Sequence, residues 1–194
     1  MIIAGGQAKR LGGANKSDIM VGAKTCFERS YETLRKSLSK IVVSGQAARH
    51  SDLEFIEDWP SGRPDGGVAY ALLGCLSWAV EQELDYIVTT PVDTPFLQAD
   101  YASRLLNSYA DDARPVVYDC NGRIQGLHAL WPTQCFQALK FHILDDGDKK
   151  IGSLHTKLKS RKIHIPIDAY DPFLNLNTAE AIKQAQEIAE KFEL

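Results

Sequence analysis

Apolar residues recur along this chain with two alternating periods. Residues 1–4 form a short apolar run that reads as a strand. Over 25–38, Phe27, Tyr31, Leu34 and Leu38 fall at three- and four-residue steps, the stripe of an amphipathic helix. Residues 40–44 are β-branched and strand-like, and 53–56 form a weaker strand. A helix follows over 68–82, with Leu72, Leu73, Leu76 and Val80 on one face. Residues 85–90 have the pattern of a buried strand, and 99–109 return to helical spacing. This β-α-β-β-α-β-α rhythm predicts an α/β fold of three layers, a mostly parallel sheet with helices on both faces.

The second half changes character. Strand-like runs over 115–120 and 123–131 flank Asn121-Gly122, a strong hairpin signal. A short helix is expected over 151–158, a strand over 162–167 and a final helix over 178–192, with Thr178 as its N-cap. No repeat or linker interrupts the chain. The expectation is therefore one domain over 1–194, with a nucleotide-binding part at about 1–110 and an acceptor-binding part at about 111–194.

Composition narrows the class. Hydrophobic residues at 44% and charged residues at 24% exclude a disordered chain. No apolar run approaches a spanning helix, and the apolar start is too short for a secretory signal, so a cytoplasmic protein is expected. A net charge of −3 supplies no basic field for nucleic acid or a membrane surface. A phosphate ligand must then be held by a local site. Cys26, Cys75, Cys120 and Cys135 form no C-x-x-C pair and read as reduced, buried thiols.

Three segments carry candidate chemistry, each just after a strand or before a helix. Residues 4–16 hold four glycines and three cations. Glycines let backbone amides close around an anion, Arg10 can fork two phosphate oxygens, and Lys16 acts as a point charge. The spacing matches neither a Walker loop nor G-x-G-x-x-G. The second segment centres on Asp93, between Pro91 and Pro95, beyond the best strand. A rigid carboxylate facing a triphosphate suits Mg2+, which takes few protein oxygens plus phosphate oxygens and water. The third is Asn175 and Asn177, which point the same way if extended and can serve as neutral positioners or metal ligands. Each segment also has a plain structural explanation: a solvated loop, a turn or a helix cap.

Together, residues 3–16, 66–71, 93–97 and 173–180 resemble the sequence blocks of the molybdenum cofactor guanylyltransferase family. The resemblance implies a Rossmann-like fold shared with the nucleotide-diphospho-sugar transferases. It implies a Mg2+-dependent enzyme that joins GMP from GTP to the terminal phosphate of molybdopterin and releases pyrophosphate. Ala4, Gly5, Gly6, Gly13 and Gly66 would then line the nucleotide, with Arg10 and Lys16 on its phosphates. Asp58 would lie near the base and ribose, Asp93 would bind Mg2+, and Asn175 and Asn177 would face the acceptor. The second glycine of Ala4-Gly5-Gly6 resembles the guanylyl rather than the cytidylyl enzymes. GTP and molybdopterin are the expected small-molecule partners, with transient contacts to other proteins of molybdenum cofactor biosynthesis.

The chain departs from the family pattern at several points. Asn15 stands where relatives carry an acid, Tyr70 stands where they carry glycine, and Asp65 offers a second alignment for the role of Asp58. A cytidylyl- or sugar-phosphate nucleotidyltransferase of the same fold, or a nucleotide-binding regulator without catalysis, remains an alternative at this point.

Overall fold

Alternate residues of a strand face opposite sides of a sheet, so a strand covered on both faces must be apolar throughout. In the computed structural model, which describes residues 1–4, 15–45, 53–59 and 67–194, the central run Ile2–Ala4 follows this rule, whereas the edge runs Phe55–Ile56 and Arg161–Ile165 expose alternate residues. Strands β1 (Ile2–Ala4), β4 (Val43–Gly45), β5 (Phe55–Ile56), β6 (Tyr86–Pro91), β7 (Val116–Cys120), β8 (Arg123–Pro132) and β9 (Arg161–Ile165) form one seven-stranded sheet. Its order is β5-β4-β1-β6-β8-β7-β9. β1 pairs parallel with β4 and with β6, and β4 with β5. Only β8 runs against its neighbours β6 and β7, while β9 lies parallel to β7. The mostly parallel three-layer expectation holds.

One face of the sheet packs Ile3, Ile87, Val117, Ala129 and Trp131 against α2 (Gly67–Glu81), α4 (Cys135–Leu144) and α5 (Ile151–Lys157). The intervening residues Ile2, Val88, Val116, Tyr118 and Leu130 face α1 (Cys26–Leu34) and α3 (Tyr101–Ser108). A third cluster joins α6 (Ala179–Lys191) to a small hairpin of β2 (Met20–Val21) and β3 (Lys24–Thr25) through Val21, Phe96, Leu176, Ala185 and Ile188. Among the described residues, no helix is long and apolar enough to cross a membrane.

Local signals explain most boundaries. A capping box of Thr25 and Glu28 starts α1, and Thr178 caps α6 through Ala181 N. α1 ends at Leu34, earlier than the expected 38; residues 35–37 continue as turns, with Leu38 N still bonded to Leu34 O. Asn121 and Gly122, at φ 47° and 80°, make the left-handed turn between β7 and β8. Three elements, α4, β2 and β3, were not expected from the sequence. α4 has no side-chain cap at Gln134 and is apolar around much of its circumference, so no stripe marks it. β2 and β3 have two residues each, too few to show a period.

Strand order decides where a ligand fits. From β1 the chain moves to β4 and β5 on one side and returns to β6 on the other. The point where the direction of winding reverses lies beyond the carboxyl ends of β1 and β6, and crevices at such points receive ligands in open α/β sheets.

Candidate active site

At that switch point lies a cleft of about 890 Å³, bordered by Ile3, Pro91, Asp93, Lys16, Asn175 and Asn177, with the β7–β8 hairpin as its far wall. Asp93 is held from both sides. Val92 N donates to Ile3 O at 3.0 Å, which ties the turn after β6 to β1. Leu176 N donates to Asp93 O at 2.9 Å, and the Leu176 side chain is anchored in the third apolar cluster. Anchoring Leu176 presents its neighbours Asn175 and Asn177 to the carboxylate, although this segment is not a strand.

The side chains converge. Lys16 Nζ lies 2.6 Å from Asp93 Oδ2 and also donates to Asn177 Oδ1. Asn175 Nδ2 donates to Asp93 Oδ1 at 2.9 Å. Asn175 Oδ1 is buried and has no hydrogen-bond partner among the described residues. Lys16 is delivered by a short 3-10 turn, Lys16–Asp18, which Asn15 caps by accepting from Ser17 N at 3.3 Å. The capping oxygen that an acid would offer is thus retained by Asn15. Three chain segments far apart in sequence therefore meet at one carboxylate.

His128 borders the cleft but cannot act as a base near neutral pH. Burial drives its pKa down to about 3, and its Nδ1 lies 3.3 Å from the Tyr101 hydroxyl and 3.4 Å from Thr90 Oγ1. It stays neutral and packs against Phe173, with ring centroids 4.6 Å apart. The far wall supplies Arg123 and Gln125, and the segment before Asn175 adds Asp171; none of these three was named as a site residue from the sequence. Periodicity could place Arg123 and Gln125 on a hairpin, but only the fold turns that hairpin toward Asp93.

Of the remaining expected site residues, Ala4 and Asp58 are described and neither lines this cleft among the described residues. Ala4 ends β1 with its side chain in the core, pairing with Gly45 of β4. Asp58 lies beyond β5 and borders a different, shallower depression with Trp59 and Trp78. Its carboxyl accepts from Ser44 Oγ at 3.4 Å; burial raises its pKa, and that hydrogen bond works against the shift. Tyr70 is buried in the core, under the Lys149 ammonium at 5.2 Å, and is not part of the cleft lining among the described residues. Gly5, Gly6, Arg10, Gly13 and Gly66 lie outside the described residues.

A family model described as a MobA-like NTP transferase domain matches residues 1–161. The chain belongs to the MobA-like NTP transferase family. A molybdenum cofactor guanylyltransferase from Rhodopseudomonas palustris (strain HaA2) is 30% identical, over 97% of this chain and 91% of the relative. One from Acidiphilium cryptum (strain JF-5) is 29% identical, over 96% and 92%. A crystal structure of molybdopterin-guanine dinucleotide biosynthesis protein A from Archaeoglobus fulgidus superposes with a TM-score of 0.74, covering 98% of this chain and 97% of that one. At 20% identity this last likeness speaks for the fold. Membership makes the chain a nucleotidyltransferase, and the convergent Lys16, Asp93, Asn175 and Asn177 are its candidate catalytic cluster.

Proposed function

We propose that this chain transfers GMP from GTP to the terminal phosphate of molybdopterin in the cytoplasm, releasing pyrophosphate. The observation that carries the reading is the Lys16–Asp93–Asn177 contact at the mouth of the β1/β6 switch point, in a cleft large enough for two substrates. Its neighbours in sequence are named as guanylyltransferases over nearly their full length.

In the reaction an acceptor phosphate oxygen attacks the α-phosphorus of GTP, and the bond to the bridging oxygen of pyrophosphate breaks. An anionic phosphate is already a nucleophile, so no general base is required, which agrees with a neutral, buried His128. What the chain must supply is position and charge. Among the described residues, Lys16 on its flexible stem is the cation beside Asp93 that would reach the triphosphate. Arg123 and Gln125 on the opposite wall flank the space left for the acceptor.

The described residues fit a hard divalent cation. Among them no cluster of three or more His, Cys, Asp or Glu exists. Mg2+ with a nucleotide needs only one or two carboxylates beside phosphate oxygens and water. Asp93 offers the carboxylate, and the unpartnered Asn175 Oδ1 is a hard oxygen beside it. Asp93 would hold Mg2+, assisted by Asn175, and the ion would neutralise charge building on the phosphates.

The test is pyrophosphate release from GTP, CTP and ATP, each with and without molybdopterin. Release with GTP that depends on molybdopterin is expected. Preference for CTP, or binding of GTP without any release, would overturn the proposal.

A further inference from the structure

The Lys16 ammonium lies against the carboxylate that the proposed function assigns to a divalent ion. It donates to Asp93 Oδ2 at 2.6 Å and to Asn177 Oδ1, while Asn175 Oδ1 beside them is buried without a partner among the described residues. The Asp93 carboxylate and the amide oxygens of Asn175 and Asn177 thus lie in one cluster, and a monovalent cation from the chain itself already holds two of these groups, Asp93 and Asn177. We propose that Lys16 is a resident counter-ion that closes the metal position until a polyphosphate draws it away, so that the divalent ion enters with the nucleotide and not before it. This inference rests on the reading of the cleft as a site for a metal-bound triphosphate.

The physical case has three parts. First, an ammonium and a dication compete for Asp93 Oδ2, because their mutual repulsion in a partly buried site is large. Lys16 and Asp93 side chains are only 17% and 10% exposed, so solvent screens the contact weakly. Second, lysine suits a movable counter-ion: its charge is compact and its four-carbon stem is flexible. The base of that stem is fixed by the Asn15-capped turn, so the ammonium moves while its backbone stays. Third, a triphosphate outcompetes a single carboxylate for the ammonium. As Lys16 leaves, Asp93 and Asn177 lose their cation together, and the position becomes favourable for a metal at the moment one is useful. Metal and polyphosphate then bind synergistically with no change in fold.

Free Mn2+ binding, read from the loss of the aqueous Mn2+ paramagnetic resonance signal, tests this without turnover. The wild-type chain should bind Mn2+ weakly in the absence of nucleotide. Lys16→Met should bind it roughly ten- to a hundredfold more tightly, the equivalent of one lost charge-assisted hydrogen bond. The double variant Lys16→Met/Asp93→Asn should lose that gain, placing the ion at Asp93. Unchanged or weaker Mn2+ affinity in Lys16→Met would overturn the proposal. A second readout on the wild-type chain covers a variant that fails to fold: acetylation of Lys16, followed by mass spectrometry, should be slow and should stay slow when micromolar Mn2+ is added without nucleotide. Faster labelling of Lys16 on adding Mn2+ alone would overturn the proposal equally, because the ion would then enter before the nucleotide. Calorimetric binding of GTP with Mg2+ to the wild type is the separate control. Its absence counts against the functional reading, while the Mn2+ results decide the role of Lys16 on their own.

Discussion

Replacing Asp93 with asparagine removes one charge and almost no volume. The Asp93 carboxylate accepts from Lys16 Nζ at 2.6 Å through Oδ2 and from Asn175 Nδ2 at 2.9 Å through Oδ1. An asparagine has one oxygen for these two donors. Whichever way its amide turns, an N–H group faces either the Lys16 ammonium or the Asn175 amide, and one contact becomes donor against donor. A hydrogen bond to a charged group is worth about 1.5–3 kcal/mol. The fold loses only part of this, because Lys16 is partly exposed and can turn to water. We expect a stability loss of about 1–2 kcal/mol by thermal melting. Catalysis loses more, since the carboxylate is the one acid in the convergent cluster. Turnover in pyrophosphate release should fall by about 100-fold or more, as for the loss of a principal electrostatic contact. The drop should appear in kcat at saturating GTP. Near-normal turnover in a folded Asp93→Asn variant would remove Asp93 from the reaction and refute the reasoning.

Other expectations concern the scaffold. The buried His128 has a pKa lowered to about 3, so the unfolded chain, titrating near 6.5, binds the extra proton first. Stability is complete above about pH 6.5 and is lost as pH falls toward 3, at up to about 1.4 kcal/mol per pH unit for this group. His128→Gln should flatten that slope in urea unfolding at pH 5 and pH 7, and an unchanged slope would rule His128 out as its source. A Cβ at Gly74 would lie 2.3 Å from Glu57 O, so Gly74→Ala must push α2 away from the segment after β5. A loss of about 1–3 kcal/mol, several degrees in Tm, is expected, and an unshifted melt would contradict this packing. Thr25→Ala removes the acceptor for Glu28 N and should cost about 1 kcal/mol in chemical unfolding, with GTP affinity unchanged.

The architecture was readable where periodicity and punctuation agree. α2, the Asn121-Gly122 hairpin and the Thr178 cap follow from apolar spacing, turn chemistry and a short polar side chain at a helix start. α4 was hidden because its apolar residues surround the axis, and β2 and β3 because two residues carry no pattern. In the site, Asp93 and Lys16 were legible as a carboxylate and a cation after strands; that they touch is a property of the fold. The common direction expected of Asn175 and Asn177 assumed an extended strand. Convergence instead comes from Leu176, pinned by Asp93 O and its own burial. Asp58, taken from the resemblance as lying near the base and ribose, follows β5 and borders a depression with Trp59 and Trp78 among the described residues.

The most direct test of the account is a crystal of this chain grown with GTP and Mg2+. It predicts the triphosphate in the cleft beyond β1 and β6, a metal on Asp93, and Lys16 Nζ moved from Asp93 onto phosphate oxygens. A nucleotide bound elsewhere, or an empty cleft with the Lys16–Asp93 pair intact at saturating GTP, would contradict it.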